Sequence, residues 1–349
     1  MCHLKSFFMK TKQIFLFIFI FTLLLSACEP PAPPKKYDPP KIYTLQPLDI
    51  SNSNAILRGR FIKGTDEISI FGFEWRKEKD STYKTTIVQA KNEYFSFMVT
   101  DLEEDTEYVV RAFIANDDSL WYAKEFFFFS KGSLSDIDGN SYLSMRYGKT
   151  VWMTENLRVT RFADGTPIEG RSGGANSIKD GPVYYHNKDH TPYFNKTNFG
   201  LLYNWAAARN APNCDTIFST FPFLPGAKQG ICPDGWHLPS EQEWSDLISL
   251  CGGFDYAAIQ MKSSNWTDYP HAANNYSQFS IEPAGYYFFN NEGDFQGVYG
   301  NAFFWTSNQI VDHGSSLSAR AVQLVCGLPK IEIINYTKCA GLSVRCVKD

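Results

Sequence analysis

Residues 231–244 read ICPDGWHLPSEQEW. A cysteine, an aspartate, a histidine and two glutamates fall within this stretch, beside two tryptophans. Such a set suits either a metal or catalytic site or the start of a helix. Helix chemistry accounts for the acids. Ser240 followed three residues later by Glu243 is a capping box, in which the serine oxygen accepts from the Glu243 N–H and the carboxylate accepts from the Ser240 N–H. Pro239 stops the helix from propagating backward. Glu241 and Glu243 sit where the helix dipole favours negative charge. Trp244, Leu247, Ile248 and Cys251 recur at helical spacing and form one apolar face, and Gly252-Gly253 supplies the left-handed stop. His237 stands alone before the helix. A zinc helix of the His-Glu-x-x-His kind needs two histidines four apart, so His237 is expected to be structural, bonded to a backbone group. The stretch is expected to start a helix rather than form a reaction centre.

The chain opens differently. Lys10 and Lys12 precede IFLFIFIFTLLL at 14–25, too short to span a bilayer comfortably and built like a secretory signal. The run ends in LSAC at 25–28, which resembles the lipobox of bacterial lipoproteins. That resemblance implies cleavage after residue 27, lipid on the thiol of Cys28 and acylation of the new amino terminus, hence membrane attachment without a spanning helix. Removing residues 1–27 takes away Lys5, Lys10 and Lys12 and no acid, so the processed chain is more negative than its formal −4. A negative chain argues against nucleic acid as a partner. Six prolines in residues 29–41 give an extended tether, assigned to 28–41.

Residues 42–131 change to short alternating strands: AILRGRF at 55–61, IFGFEWRK at 70–77, YFSFMV at 94–99, YVVRAFIA at 108–115 and LWYAKEFFFFS at 120–130. Turn signals separate them, and the pattern predicts an all-β sandwich. Leu102 leading to Tyr108 resembles the corner of a fibronectin type III module, where a tyrosine bonds back to the backbone. Trp75 is then the core tryptophan of a middle strand. Such a module binds ligands with its end loops or serves as a spacer.

Residues 132–349 are rich in Gly, Asn, Tyr and Trp, with two predicted helices, one over 199–210 (FGLLYNWAAARN) and one from Ser240. Cysteines 214, 232, 251, 326, 339 and 346 all lie here. In an exported protein they point to disulfides, but spacing does not choose among fifteen pairings.

This region resembles the Fibrobacter succinogenes major paralogous domain. The matching motifs are DIDGNSY at 136–142, VWMTENLRVTRFADGTPI at 151–168, FGLLYNWAA at 199–207, ICPDGWHLPSEQEW at 231–244, FFWTS at 303–307 and LSVRCVKD at 342–349. The family is in turn similar to the C-type lectin fold and to the formylglycine-generating enzyme. The resemblance implies an α+β, C-type-lectin-like domain with two helices, a small antiparallel sheet with a terminal strand over 343–347, and long irregular loops. It also favours a Cys232–Cys346 disulfide, after which Cys326 with Cys339, and Cys214 with Cys251, complete the pairing.

Three functions follow as expectations. The first is a surface recognition module for glycan or protein. Trp266, Asp268, Tyr269, Tyr286, Tyr287, Asn290, Asn291, Asp294 and Trp305 are its candidate ligand residues, because aromatic faces stack on sugar rings and amides and carboxylates bond hydroxyls. Calcium-dependent lectins use Glu-Pro-Asn and Trp-Asn-Asp triplets. Here Glu282-Pro283-Ala284 and Trp266-Thr267-Asp268 each lack a ligand, too few oxygens for calcium. The second is a structural envelope or appendage subunit. The third is an oxidase of the formylglycine-generating kind, which holds copper on two nearby cysteines. The six residues between Cys339 and Cys346 exceed that family's spacing, and Cys346 falls in the expected terminal strand, where a disulfide fits better. No catalytic motif, cofactor fingerprint or metal site is expected. The sequence favours an exported, lipid-anchored, non-catalytic envelope protein at the outer membrane.

Overall fold

The computed structural model describes residues 36–171, 181–185, 199–214, 229–267, 273–288, 294–312 and 315–349. The signal-like run, Cys28 and most of the tether lie outside them. Residues 36–40 and 63–67 form a unit of their own. There the Asp38 carbonyl accepts from the Thr65 N–H at 2.8 Å, and Gly64 is needed because a Cβ would sit 2.1 Å from that carbonyl oxygen.

The other unit begins with eight strands: β1 (Lys41–Leu48), β2 (Ala55–Ile62), β3 (Ile70–Lys77), β4 (Lys84–Val88), β5 (Tyr94–Val99), β6 (Glu107–Ala115), β7 (Leu120–Tyr122) and β8 (Phe126–Phe129). They make two antiparallel sheets, β1-β2-β5 and β4-β3-β6-β7, with β8 also paired to β6. Alternation explains the packing. Ala55 and Leu57 of β2 face inward with Phe73 and Trp75 of β3, Phe95 of β5 and Val110 and Ala112 of β6. The Tyr108 hydroxyl accepts from the Glu103 N–H at 2.9 Å, closing the corner before β6. On the outer face the Arg111 guanidinium lies between the Tyr83 and Tyr122 rings, at 4.4 and 4.0 Å, and is bonded to Glu74.

The chain continues as β9 (Gly132–Ser135), β10 (Ser141–Tyr147), β11 (Thr150–Met153), β12 (Glu169–Arg171), β13 (Val183–Tyr185), β14 (Leu202–Tyr203), α1 (Trp205–Arg209), β15 (Trp236–His237), α2 (Glu241–Leu250), α3 (Ala257–Met261), β16 (Tyr286–Phe288), β17 (Asp294–Gln296), β18 (Asn301–Asp312), β19 (Ser315–Val325), β20 (Ile331–Thr337) and β21 (Val347–Lys348). One sheet runs β15-β21-β11-β10-β9 and another β18-β19-β20. The second of these is a long meander over residues 301–337. Near its start β18 is buried on both faces: Phe303 and Trp305 enter one core, while Ala302 and Phe304 enter the other. A strand buried on both sides reads as a continuous apolar run, so alternation does not reveal it.

The helix from Ser240 has both bonds of its capping box, and Gly253 continues the stop with φ of 82°. The helix expected over 199–210 is only α1. Gly200 has φ of +75°, and the Asn204 side chain caps at 2.9 Å from the Ala207 N–H, so the preceding residues are extended. The terminal strand is β21, which shares only Val347 with the expected 343–347. Among the described residues no helix is long and apolar enough to cross a membrane.

The two parts meet at a bonded joint. The Glu104 carboxylate accepts from the Ser133 N–H and hydroxyl at 3.1 and 2.7 Å. Arg146 lies 3.5 Å from Asp105, and the Ile50 N–H donates to the Gln278 side chain at 3.3 Å.

Candidate recognition cleft

Of the nine residues expected to meet a ligand, five are described, and three of those are buried in the core. Trp266 is buried, and its indole N–H donates to the Ile281 carbonyl at 2.8 Å. Tyr287 is buried and stacks on Tyr185 with centroids 4.0 Å apart. Trp305 is fully buried and donates to the Tyr203 carbonyl at 2.7 Å. These three rings are core, because each has apolar contact on its faces and an internal acceptor for its polar end or a ring against it. Tyr286 is half-buried and bonds Gln296 at 2.9 Å. Asp294 opens β17. Asp268, Tyr269, Asn290 and Asn291 lie outside the described residues.

The lectin-like positions are also occupied internally. Glu282 accepts from Ser263 and Asn265 at 2.9 and 2.8 Å, and burial raises its pKa. Among the described residues no three His, Cys, Asp or Glu side chains group so as to hold a metal.

His237 bonds two carboxylates. Its Nδ1 is 2.7 Å from Asp349 and its Nε2 2.9 Å from Glu243. Ser240 completes a serine–histidine–acid set in composition only, since its hydroxyl donates to Glu243 at 2.8 Å. A nucleophile must bond the base, and here both ring nitrogens are taken. Burial by itself raises the Glu243 pKa, but the bonds from His237 and Ser240 bring it down to about 2.

The Cys232–Cys346 bond is present. The other two expected pairings are not formed. Cys251 and Cys326 are free thiols, and Cys326 instead lies 3.0 Å from the Thr267 hydroxyl. With Cys346 bonded to Cys232, Cys339 and Cys346 are not a dithiol.

Buried cations, Arg345 and Lys262 among them, were not singled out from sequence. Arg345 is fully buried and donates to Asn156 at 2.9 Å and to the Phe279 and Ser280 carbonyls, the latter at 2.7 Å. Lys262 donates to the Val325 and Leu328 carbonyls. Only the charge within the motif at 342–349 hinted at Arg345.

A cleft of about 270 Å³ stays open beside the disulfide, lined among others by Ser135, Asp136, Arg161, Cys232 and Asp234. Its rim is the turn between β9 and β10. Asp136 accepts from the Asp138 and Asn140 N–H groups, both at 2.9 Å, and from the Tyr142 hydroxyl at 2.6 Å. Gly139 takes φ of +79° to close that turn. Asp138 bonds Thr160 and the Arg161 Nε, at 2.6 Å for the latter. Burial pushes the Asp138 pKa up, but these bonds outweigh it and the group is lowered. A carboxylate held below its ordinary range is a weak base at neutral pH.

Residues 145–348 match the family model of the Fibrobacter succinogenes major domain. No curated protein matches. Among solved structures, the sensor domain of the anti-sigma factor RsgI4 of Pseudobacteroides cellulosolvens is 12% identical, with 27% of this chain and 95% of that chain covered and a TM-score of 0.23. A computer-redesigned β-sandwich protein is 20% identical, with 28% and 98% covered and a TM-score of 0.22. Likeness at these scores carries no argument.

Proposed function

Because the chain belongs to the Fibrobacter succinogenes major domain family, we propose that it is an exported, lipid-anchored envelope protein whose C-terminal head, residues 132–349, recognises a glycan or protein ligand without catalysing a reaction. The observation that carries the recognition role is the cleft at Asp136, Arg161 and Asp234. It is open, its polar groups Asp136, Arg161 and Asp234 sit among apolar lining, and its rim is held by internal hydrogen bonds. Preorganised groups bind without first having to be ordered.

Export and anchoring rest on the signal-like run and LSAC at 25–28, with Cys28 as the lipidated residue. The Cys232–Cys346 bond supports an oxidising compartment. The outer membrane is the proposed location, with residues 28–41 as the tether. The Tyr108–Glu103 corner supports a fibronectin type III-like module over 42–131. Reading the head as C-type-lectin-like rests on the family resemblance.

The test is binding of the whole processed chain to a glycan array, with calcium and with chelator. The whole chain is used because Gln278 and Ser133 bond across the joint. Selective binding that weakens at least tenfold in Arg161→Ala would support the reading. A clean negative from folded protein would move the ligand to protein or leave a structural envelope role. Binding unchanged in Arg161→Ala would place recognition elsewhere.

A further inference from the structure

Cys214 and Cys339 lie far apart in sequence, yet they share one small buried cluster with Ala206 and Ala211. The Cys214 sulfur is 3.8 Å from the carbonyl oxygen of Lys338, the residue joined to Cys339. That carbonyl also accepts from the Trp205 N–H at 2.8 Å. The Tyr185 hydroxyl lies 3.4 Å from the Cys339 carbonyl and donates to it. The backbone that carries Cys339 is thus pinned against the start of α1, and Cys214 lies beyond the end of the same helix. The Cys214 sulfur therefore lies against the backbone of the residue next to Cys339, within one buried cluster that holds both cysteines. Tyr185 faces both sulfurs as well: after burial, Cys214 and Cys339 are among the groups that raise its pKa.

We propose that Cys214 and Cys339 are joined by a second disulfide in the exported protein, an assignment that rests on the export proposed above. The step is thiol–disulfide exchange. The two thiols release two protons and two electrons as their S–S bond forms. The electrons reduce the disulfide of an oxidoreductase or of oxidised glutathione, which leaves as two thiols. Both sulfurs are buried, so the exchange takes place during folding, before the cluster closes. The product differs from both pairings expected from the family resemblance. Together with Cys232–Cys346 it ties each end of the 214–232 stretch to the short stretch 339–346. Cys251, beside Ser277, and Cys326, beside Thr267, stay as thiols.

The full chain is exported from a bacterial host, denatured without reduction, alkylated and digested, and its linked peptides are identified by mass spectrometry. The expected result is a Cys214–Cys339 peptide pair, with alkylation confined to Cys251 and Cys326. Cys214→Ser should abolish that pair and expose Cys339 to alkylation. Alkylated Cys214 or Cys339 in the unmodified chain, or either one bonded to another cysteine, while Cys232–Cys346 is intact, overturns the proposal and leaves export standing. If Cys232 and Cys346 are alkylated too, the export reading fails. The denatured, reduced chain is then refolded with oxidised and reduced glutathione: a Cys214–Cys339 pair supports the pairing, and persistent alkylation at both overturns it.

Discussion

The Nε2 of His237 lies 2.9 Å from Oε1 of Glu243, the residue that also closes the capping box of α2. One carboxylate thus ties the helix start to the strand β15, and through the Nδ1 bond to Asp349 the same imidazole holds the end of the chain.

This arrangement sets an acid limit. The Glu243 pKa in the folded protein, about 2, is below its ordinary 4.5. A depressed carboxylate contributes stability that is complete above the unfolded value and is lost as pH falls through the folded one. Unfolding free energy should therefore drop between about pH 4.5 and 2, and Glu243→Gln should flatten that fall by on the order of 2 kcal/mol after solvent screening. Urea melts at stepped pH would measure it; an unchanged acid limb in the variant would remove Glu243 as its source.

Arg345 supplies the donors for Asn156 and for the Phe279 and Ser280 carbonyls. Arg345→Met should leave these acceptors bare and cost about 3 kcal/mol or more. Arg345→Lys should not recover the loss, because a single ammonium lacks the planar fork that reaches all three. Chemical denaturation of the three proteins decides this, and a fully stable lysine variant would contradict it.

Trp305→Ala should act on folding and not selectively on recognition. The ring is fully buried, and truncating it is expected to cost about 3–5 kcal/mol. Thermal melts beside ligand binding would separate the effects: a variant of normal stability with lost binding would return Trp305 to the ligand site.

Tyr108→Phe removes the acceptor for the Glu103 N–H and nothing else. The expected loss is about 1–2 kcal/mol, seen as a lower urea midpoint with an unchanged slope. No change in the midpoint would mean that water replaces the bond without cost.

Local chemistry made parts of this molecule readable. The capping box at Ser240 and Glu243 lies within four residues, so the start of α2 was evident from sequence. Strands β2 and β3 declared themselves by alternation, and the turn residues at 116–118 marked the end of β6. The Cys232–Cys346 bond came from the family resemblance, not from spacing. Relationships set by distant packing stayed hidden. Asp349 reaches His237 from the far end of the chain. The rings of Trp266, Tyr287 and Trp305 share the composition of a sugar-binding surface, and only the fold reveals that they point inward. The cleft was missed although its residues lie in or beside the motifs at 136–142, 151–168 and 231–244, because only the fold brings these three distant stretches together.

The bonded joint has a mechanical consequence. Glu104 with Ser133, Asp105 with Arg146 and Ile50 with Gln278 bind the β-sandwich to the C-terminal part at several points rather than through a single covalent link. A load pulling on the cleft would shear these contacts together, and bonds loaded in parallel share a force that would break them one at a time in series. The sandwich and the C-terminal part would then swing under that load as one lever arm, not as two beads on a string.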